Sequence, residues 1–220
     1  MSGLTISALA VAAFVAMASG APAALADVMA RGQRLTTCTV DSDGVVTDSP
    51  QSLCNQAAAT LGRAITLDAY ALARMVRSED GSAGQVAKAL KCHVGFNQVA
   101  SLGWPSVAYW VTYHRSANRA GKFGAQISGR VASGKDPYEN DLVAAEYAIA
   151  ERANGSDPTF GAVNFVDVGG FGSQAGTGTF DDLVTQWAAE GKVPGTLPNT
   201  PDGLVFFWRG NVPDGAESYG

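Results

Sequence analysis

Residues 66–81 read TLDAYALARMVRSEDG, and the fold turns on how this stretch is taken. A helix is expected to begin at Thr66. Leu67, Tyr70, Ala71, Leu72, Met75 and Val76 recur at helical spacing and form one apolar face. The pattern stops at Ser78-Glu79-Asp80-Gly81, so a helix is expected to end with two acids beside a glycine. Neighbouring stretches extend the pattern. Ser49-Pro50 opens a helix that ends near Gly62, with Ser as cap and Pro at the first position. Ser82 and Gln85 have capping-box spacing and open a helix toward Gly103. Trp104-Pro105 begins a fourth helix, with Tyr109, Trp110 and Tyr113. Asp136-Pro137-Tyr138-Glu139 begins a fifth, carrying Leu142, Val143, Tyr147 and Ile149 and ending near Gly155. Residues 161–168 and 203–209 read as short strands, and Thr179 to Glu190 as a last helix. Residues 35–49 contain a turn signal at Asp43-Gly44 and predict a short hairpin or loop; residues 116–135 predict an irregular segment. No internal repeat is present. The fold class expected is mainly α, of α+β type, with a few short strands.

The chain has 220 residues, with 46% hydrophobic and 16% charged, an ordinary globular profile with a lean surface. Without the first thirty residues the remainder suits one domain, large enough to bury roughly 70% of its unfolded surface. The net charge of -5 and the absence of a Lys/Arg run exclude nucleic acid as an expected partner. Three cysteines, Cys38, Cys54 and Cys92, have no CxxC spacing, and only His93 and His114 are there to join them. No metal site and no cofactor are therefore expected. Cys38 and Cys54 flank a polar loop and are the best pair for a disulfide if the compartment is oxidising.

Met1 to Ala26 carries no charge, and Ala24-Leu25-Ala26 before Asp27 reads as a small-residue cleavage site. The uncharged stretch lacks a basic start and is long enough to span a bilayer. Residues 1–30 are thus read as an export signal, a retained membrane-active or packing helix, or a core helix. Residues 4–26 are the segment for membrane attachment. Residues 31–64 follow as a loop and helix extension, and residues 65–220 as the main domain.

Three stretches stand out together: Ala71 through Gly81; Gly124-Ala125-Gln126 followed by Gly129-Arg130-Val131-Ala132-Ser133 and Asp136-Pro137; and Asp157-Pro158-Thr159-Phe160-Gly161-Ala162-Val163-Asn164-Phe165. Their order and spacing resemble the SleB-type cell-wall hydrolases and their phage-borne relatives, over roughly residues 65–168. The resemblance implies a lysozyme-like helical core acting on peptidoglycan as a lytic transglycosylase or muramidase. It assigns the catalytic acid to Glu79, and points to Asn97, Gln126, Thr159 and Asn164 as substrate-binding residues. Gln98 stands where the family often has Arg, Ser133-Gly134 where relatives commonly show Ser-Thr, and Phe160 where a Gly is usual.

The chemistry of Glu79 has its own argument. A helix C-terminus carries partial negative charge and opposes ionisation, and Asp80 adds like-charge pressure. Both favour the protonated form that a general acid needs near neutral pH. Asp80, Asp136, Glu139 and Asp157 are candidates for a second carboxylate. Asp136 and Asp157 precede Pro and are more simply helix-cap or turn residues. A lytic transglycosylase needs no second one: by the resemblance, one Glu protonates the leaving oxygen, then takes the proton of the C6 hydroxyl of N-acetylmuramic acid, giving a 1,6-anhydro product. Tyr109 and Tyr113, four apart on one helix, offer either a platform for sugar rings or core packing. Trp104, Trp187 and Trp208 are read as core. Adjacent Cys92 and His93 cannot face each other on a helix, so a cysteine nucleophile is not expected.

The sequence therefore predicts an enzyme that cleaves peptidoglycan glycan strands, exported or carried in a phage particle, with virion or envelope proteins as partners of the N-terminal segment. The alternative is a non-catalytic virion or envelope protein with a degenerate lysozyme-like domain. A weaker alternative is an enzyme acting on chitin or other oligosaccharides.

Overall fold

A computed structural model describes residues 31–39, 42, 46–113, 136–168, 180–198, 200 and 203–219. The apolar segment 1–30, the Asp43-Gly44 turn, Gln126 with the rest of 114–135, and the predicted start at Thr179 lie outside the described residues. Helices α1 (Pro50–Leu61), α2 (Leu67–Asp80), α3 (Gln85–Leu102), α4 (Val107–Tyr113) and α5 (Glu139–Ala153) precede strand β1 (Asn164–Asp167). Helix α6 (Phe180–Ala189) and strands β2 (Lys192–Thr196), β3 (Leu204–Arg209) and β4 (Glu217–Ser218) complete the chain. The fold is α+β: helices packed beside a four-stranded antiparallel sheet of order β1-β3-β2-β4. Among the described residues no helix is long and apolar enough to cross a membrane.

The helix starts follow local chemistry. Ser49 accepts from the Ser52 amide and Thr66 from the Ala69 amide, satisfying amides that the helix leaves open. Two expected starts move. Gly84, not Ser82, precedes α3, with no side-chain cap. Helix α5 begins after Tyr138, whose amide donates to Asp141 Oδ2 at 2.9 Å. Asp136 is not its cap. It is buried and accepts from Thr36 Oγ1 at 2.6 Å, from the Cys38 amide at 3.1 Å and from Arg34. That carboxylate seats residues 31–39 against the start of α5, where Leu35 N donates to Pro137 O. The described residues of 35–49 are pinned to that other element, and Thr47 N donates to Thr39 O.

Helix α3 is the centre of the helical layer. Residues 87–95 are all buried, including Lys88, Lys91 and His93. It packs against α5, where Lys88 Nζ meets Asp141 Oδ1 at 2.7 Å with both side chains sealed from solvent. One apolar cluster runs from Leu35, Leu53 and Ala57 through α2, α3 and α5 to Leu204, Phe206 and Trp208, so residues 31–64 contribute to the same core as the rest. Trp208 is buried in it; Trp104 is half-buried against it.

Strand β3, LVFFWR, is buried on both faces: Phe206 and Trp208 face the helices, while Val205 and Phe207 face α6. A strand covered on both sides needs a continuous apolar run, as here. Trp187 belongs to this smaller second cluster, edge-on to Phe207 at 4.5 Å, rather than to the main core. No local signal marks β2, because KVPGT holds Pro and Gly, both depleted in strands. Gly195 is required there: a Cβ would lie 2.5 Å from the Glu217 carbonyl, where β4 pairs.

All three cysteines are free. The expected Cys38–Cys54 bridge is absent because the two residues have different neighbours. The Cys54 thiol faces the Ile65 carbonyl at 3.8 Å, and Cys38 sits on Asp136.

The Lys88–Asp141 pair makes a sharp prediction. Lys88→Met leaves a lone buried carboxylate and costs about 3–5 kcal/mol. Adding Asp141→Leu recovers more than half of that loss, the remainder being the lost cap on Tyr138. Urea denaturation of the two variants measures both values.

Candidate active site

Glu79 sits in the last turn of α2. Residues 69–76 of that helix are all buried, Arg77 is half-buried, and Glu79 is half-buried as the helix reaches the surface. Arg77 pins this end: Nη1 donates to Gly81 O at 2.9 Å, and its guanidinium lies 4.5 Å over the Tyr138 ring. Gly81 closes the helix with φ -67, not in the left-handed region. Its missing side chain serves the arginine, since a Cβ there would lie 2.6 Å from Arg77 Nη1.

The third motif stretch is built as a rigid turn. Asp157 Oδ1 accepts from Thr159 N at 3.0 Å and Thr159 Oγ1 at 2.6 Å, and Oδ2 accepts from Gly161 N at 2.9 Å. Asp157 is thus a turn residue, as its position before proline predicts. Asn97 on α3 reaches the same turn, donating to Thr159 Oγ1 and to Ala162 O, both at 3.0 Å. Arg152 donates to Asn97 Oδ1 and pairs with Asp157 at 3.2 Å. Trp208 Nε1 donates to Thr159 O at 2.9 Å. Gln98 Nε2 donates to Val163 O at 2.6 Å, leading into β1 and the buried Asn164. The structure therefore brings Asn97 and Thr159 together on one brace between α3 and the turn after α5, while Asn164 is buried at the start of β1.

Glu79 is apart from them. Arg77 touches Tyr138 at the start of α5, whereas Asn97 joins Arg152 at its end. The length of α5 separates the two places by roughly 20 Å at 1.5 Å per residue. Gln126 and the Tyr113 side chain lie outside the described residues. Tyr109 is exposed beside Trp104, ring centroids 6.3 Å apart, and Trp110 fills the core in its stead.

Three residues of the Asp157 region were not read as site residues from the sequence. Phe160 is 48% exposed at φ 49, a backbone region that residues with a Cβ rarely adopt. Its only signal was its place in a motif position where glycine is usual. His93 is wholly buried, with Nε2 2.8 Å from Glu151 Oε2 and Nδ1 3.7 Å from Asp157 Oδ1. Arg209 is exposed at the end of β3.

No protein-family model, curated protein or solved structure matches this chain. The chemistry of the site must be read from its own groups. Cys92 is sealed, and burial pushes its thiol up, so it supplies no thiolate. Among the described residues no group of His, Cys, Asp and Glu is arranged to hold a metal ion. Burial lowers the pKa of His93 from its ordinary 6.5, against the opposing pull of Glu151 and Asp157. Burial alone would raise Asp157, but the Thr159 hydroxyl and the Arg152 charge outweigh it and hold the carboxyl below 3.8.

Both shifts predict acid sensitivity of one sign. A group whose folded pKa is depressed stabilises the fold above its unfolded pKa, and that stability is lost as pH falls toward the folded value. The His93 contribution therefore erodes once the pH drops below about 6.5, and that of Asp157 below about 3.8. Thermal midpoints of the wild type fall between pH 7 and pH 5. In His93→Gln the slope over that interval is shallower.

Proposed function

We infer that this protein cleaves the glycan strand of bacterial peptidoglycan, with Glu79 as the single acid and base. The observation that carries the reading is the position of Glu79: half-buried, at the surface end of a helix whose preceding turns are sealed in the core. A general acid needs that combination of access to substrate and partial exclusion of water. The ordered likeness of the three motif stretches to SleB-type hydrolases supports the same residue.

In this reading the helical layer is a lysozyme-like core. Glu79 protonates the glycosidic oxygen as the bond to the anomeric carbon breaks. The resulting carboxylate takes the proton of the muramic acid C6 hydroxyl, whose oxygen closes on that carbon. Bond and proton counts balance without water, and the product is a 1,6-anhydro sugar. A route that needs no second carboxylate is favoured over hydrolysis because two of the four candidates are otherwise engaged. Asp136 and Asp157 are both committed to structural hydrogen bonds. The apolar residues 4–26 then serve to export the domain, or to tether it to a membrane or virion.

Zymography on purified peptidoglycan tests the proposal. Wild type clears the wall, and Glu79→Gln clears at least about 100-fold less. Mass spectrometry of the products finds anhydro-muropeptides. Clearing by neither protein removes the enzymatic reading and leaves the non-catalytic envelope or virion role. Equal clearing by both removes Glu79 from the mechanism.

A further inference from the structure

We propose that the groove beside Phe160 is a second glycan-binding subsite, taking an acid-bearing amino-sugar unit of the strand at the end of the domain away from Glu79. The inference rests on the peptidoglycan reading above and adds a residue set to it.

The first observation is strain with a purpose. Phe160 is held at φ 49, a conformation that glycine would adopt freely. The turn around it is over-determined by Asp157, Asn97 and Trp208, so the backbone has no easy release. Strain held in this way belongs to sites where a side chain must be displayed. What is displayed is an aromatic ring 48% exposed. The chain even makes room for it: a Cβ on Gly215 would lie 3.2 Å from the ring.

The second observation is the surface beside the ring. Phe160 borders an open groove of about 470 Å³ that is also lined by Ser101, Arg209 and Asn211. Arg209 and Asn211 are exposed, and the Arg209 guanidinium makes no hydrogen bond or ion pair to any described residue. A flat apolar ring, a cation, an amide and a hydroxyl together suit a sugar: its C–H face on the ring, its hydroxyl and acetamido groups on the polar side chains, a carboxylate on the arginine. One guanidinium in a chain of net charge -5 suits one carboxylate per repeating unit and disfavours a polyphosphate backbone. Peptidoglycan supplies that pattern through muramic acid and its peptide stem. The groove borders Asn97, near the end of α5, while α2 meets the start of α5 through Arg77, and the roughly 20 Å length of that helix is within the span of a strand several sugars long.

The test uses the full chain carrying Glu79→Gln, with uncross-linked glycan strands bearing peptide stems and with chitohexaose as the neutral probe. Calorimetry is expected to show Phe160→Gly binding strands roughly five- to tenfold more weakly, with no fall in thermal midpoint because glycine relieves the strain. Phe160→Tyr keeps the affinity. Arg209→Gln weakens the stem-bearing strands and leaves chitohexaose unaffected. Unchanged affinity in Phe160→Gly overturns the subsite, as does a loss in Phe160→Tyr equal to that in Phe160→Gly. An equal effect of Arg209→Gln on both probes overturns the acid preference. Strand binding that depends on Phe160 in a protein that clears no wall sinks the cleavage reading alone. Clearing by wild type with no dependence of binding on Phe160 or Arg209 sinks the subsite alone.

Discussion

The contact between α3 and α5 is polar along much of its length, and the rest of the molecule is arranged around it. Lys88 meets Asp141 at its beginning, His93 meets Glu151 further along, and Asn97 meets Arg152 at its end. Charges sealed from water are costly unless each finds its partner in good geometry. Two helices joined in this way have one register and one angle. A slip by a single turn would strand the sealed Lys88–Asp141 pair and leave the buried His93 and Asn97 without their partners. The apolar core that surrounds the seam supplies burial, while the seam supplies the constraint.

That constraint reaches the sheet through one turn. Arg152 and Asn97, fixed by the seam, hold Asp157, Thr159 and Ala162. Trp208 ties the same turn to β3. The chain thus passes from helix to strand without freedom in the step between them, and Phe160 is carried in a conformation its own side chain disfavours. At the other end of α5, Asp136 does comparable work for the segment preceding α1. Two of the carboxylates that looked available for catalysis, Asp136 and Asp157, are here spent on holding structure.

The described helices were legible where local signals were strong. Ser49-Pro50, Thr66 and the periodic apolar face of 67–76 fix α1 and α2 with little help from the remainder of the chain. The run at 204–208 announces a strand because β3 is covered on both faces. By contrast β2 was illegible, since its Pro and Gly are tolerated only by the particular neighbours that pair with it. The start of α5 shifted for a related reason: Asp136 has a stronger use in binding residues 34–38 than in capping the helix it precedes.

The candidate residues divide the same way. Glu79 at a helix end, and Asp157 as a turn former, follow from short-range patterns of a few residues. The sequence by itself thus determined the helices, the apolar strand β3 and the acid at the end of α2. Only the tertiary structure decided that Asn97 and Thr159 brace one another far from Glu79, that Lys88 and His93 are buried, and that Phe160 stands open above a groove. The physical reason is range: periodicity and capping act between residues a few positions apart. Pairing of buried charge and the closing of a groove join residues more than fifty positions apart, whose meeting no local pattern records.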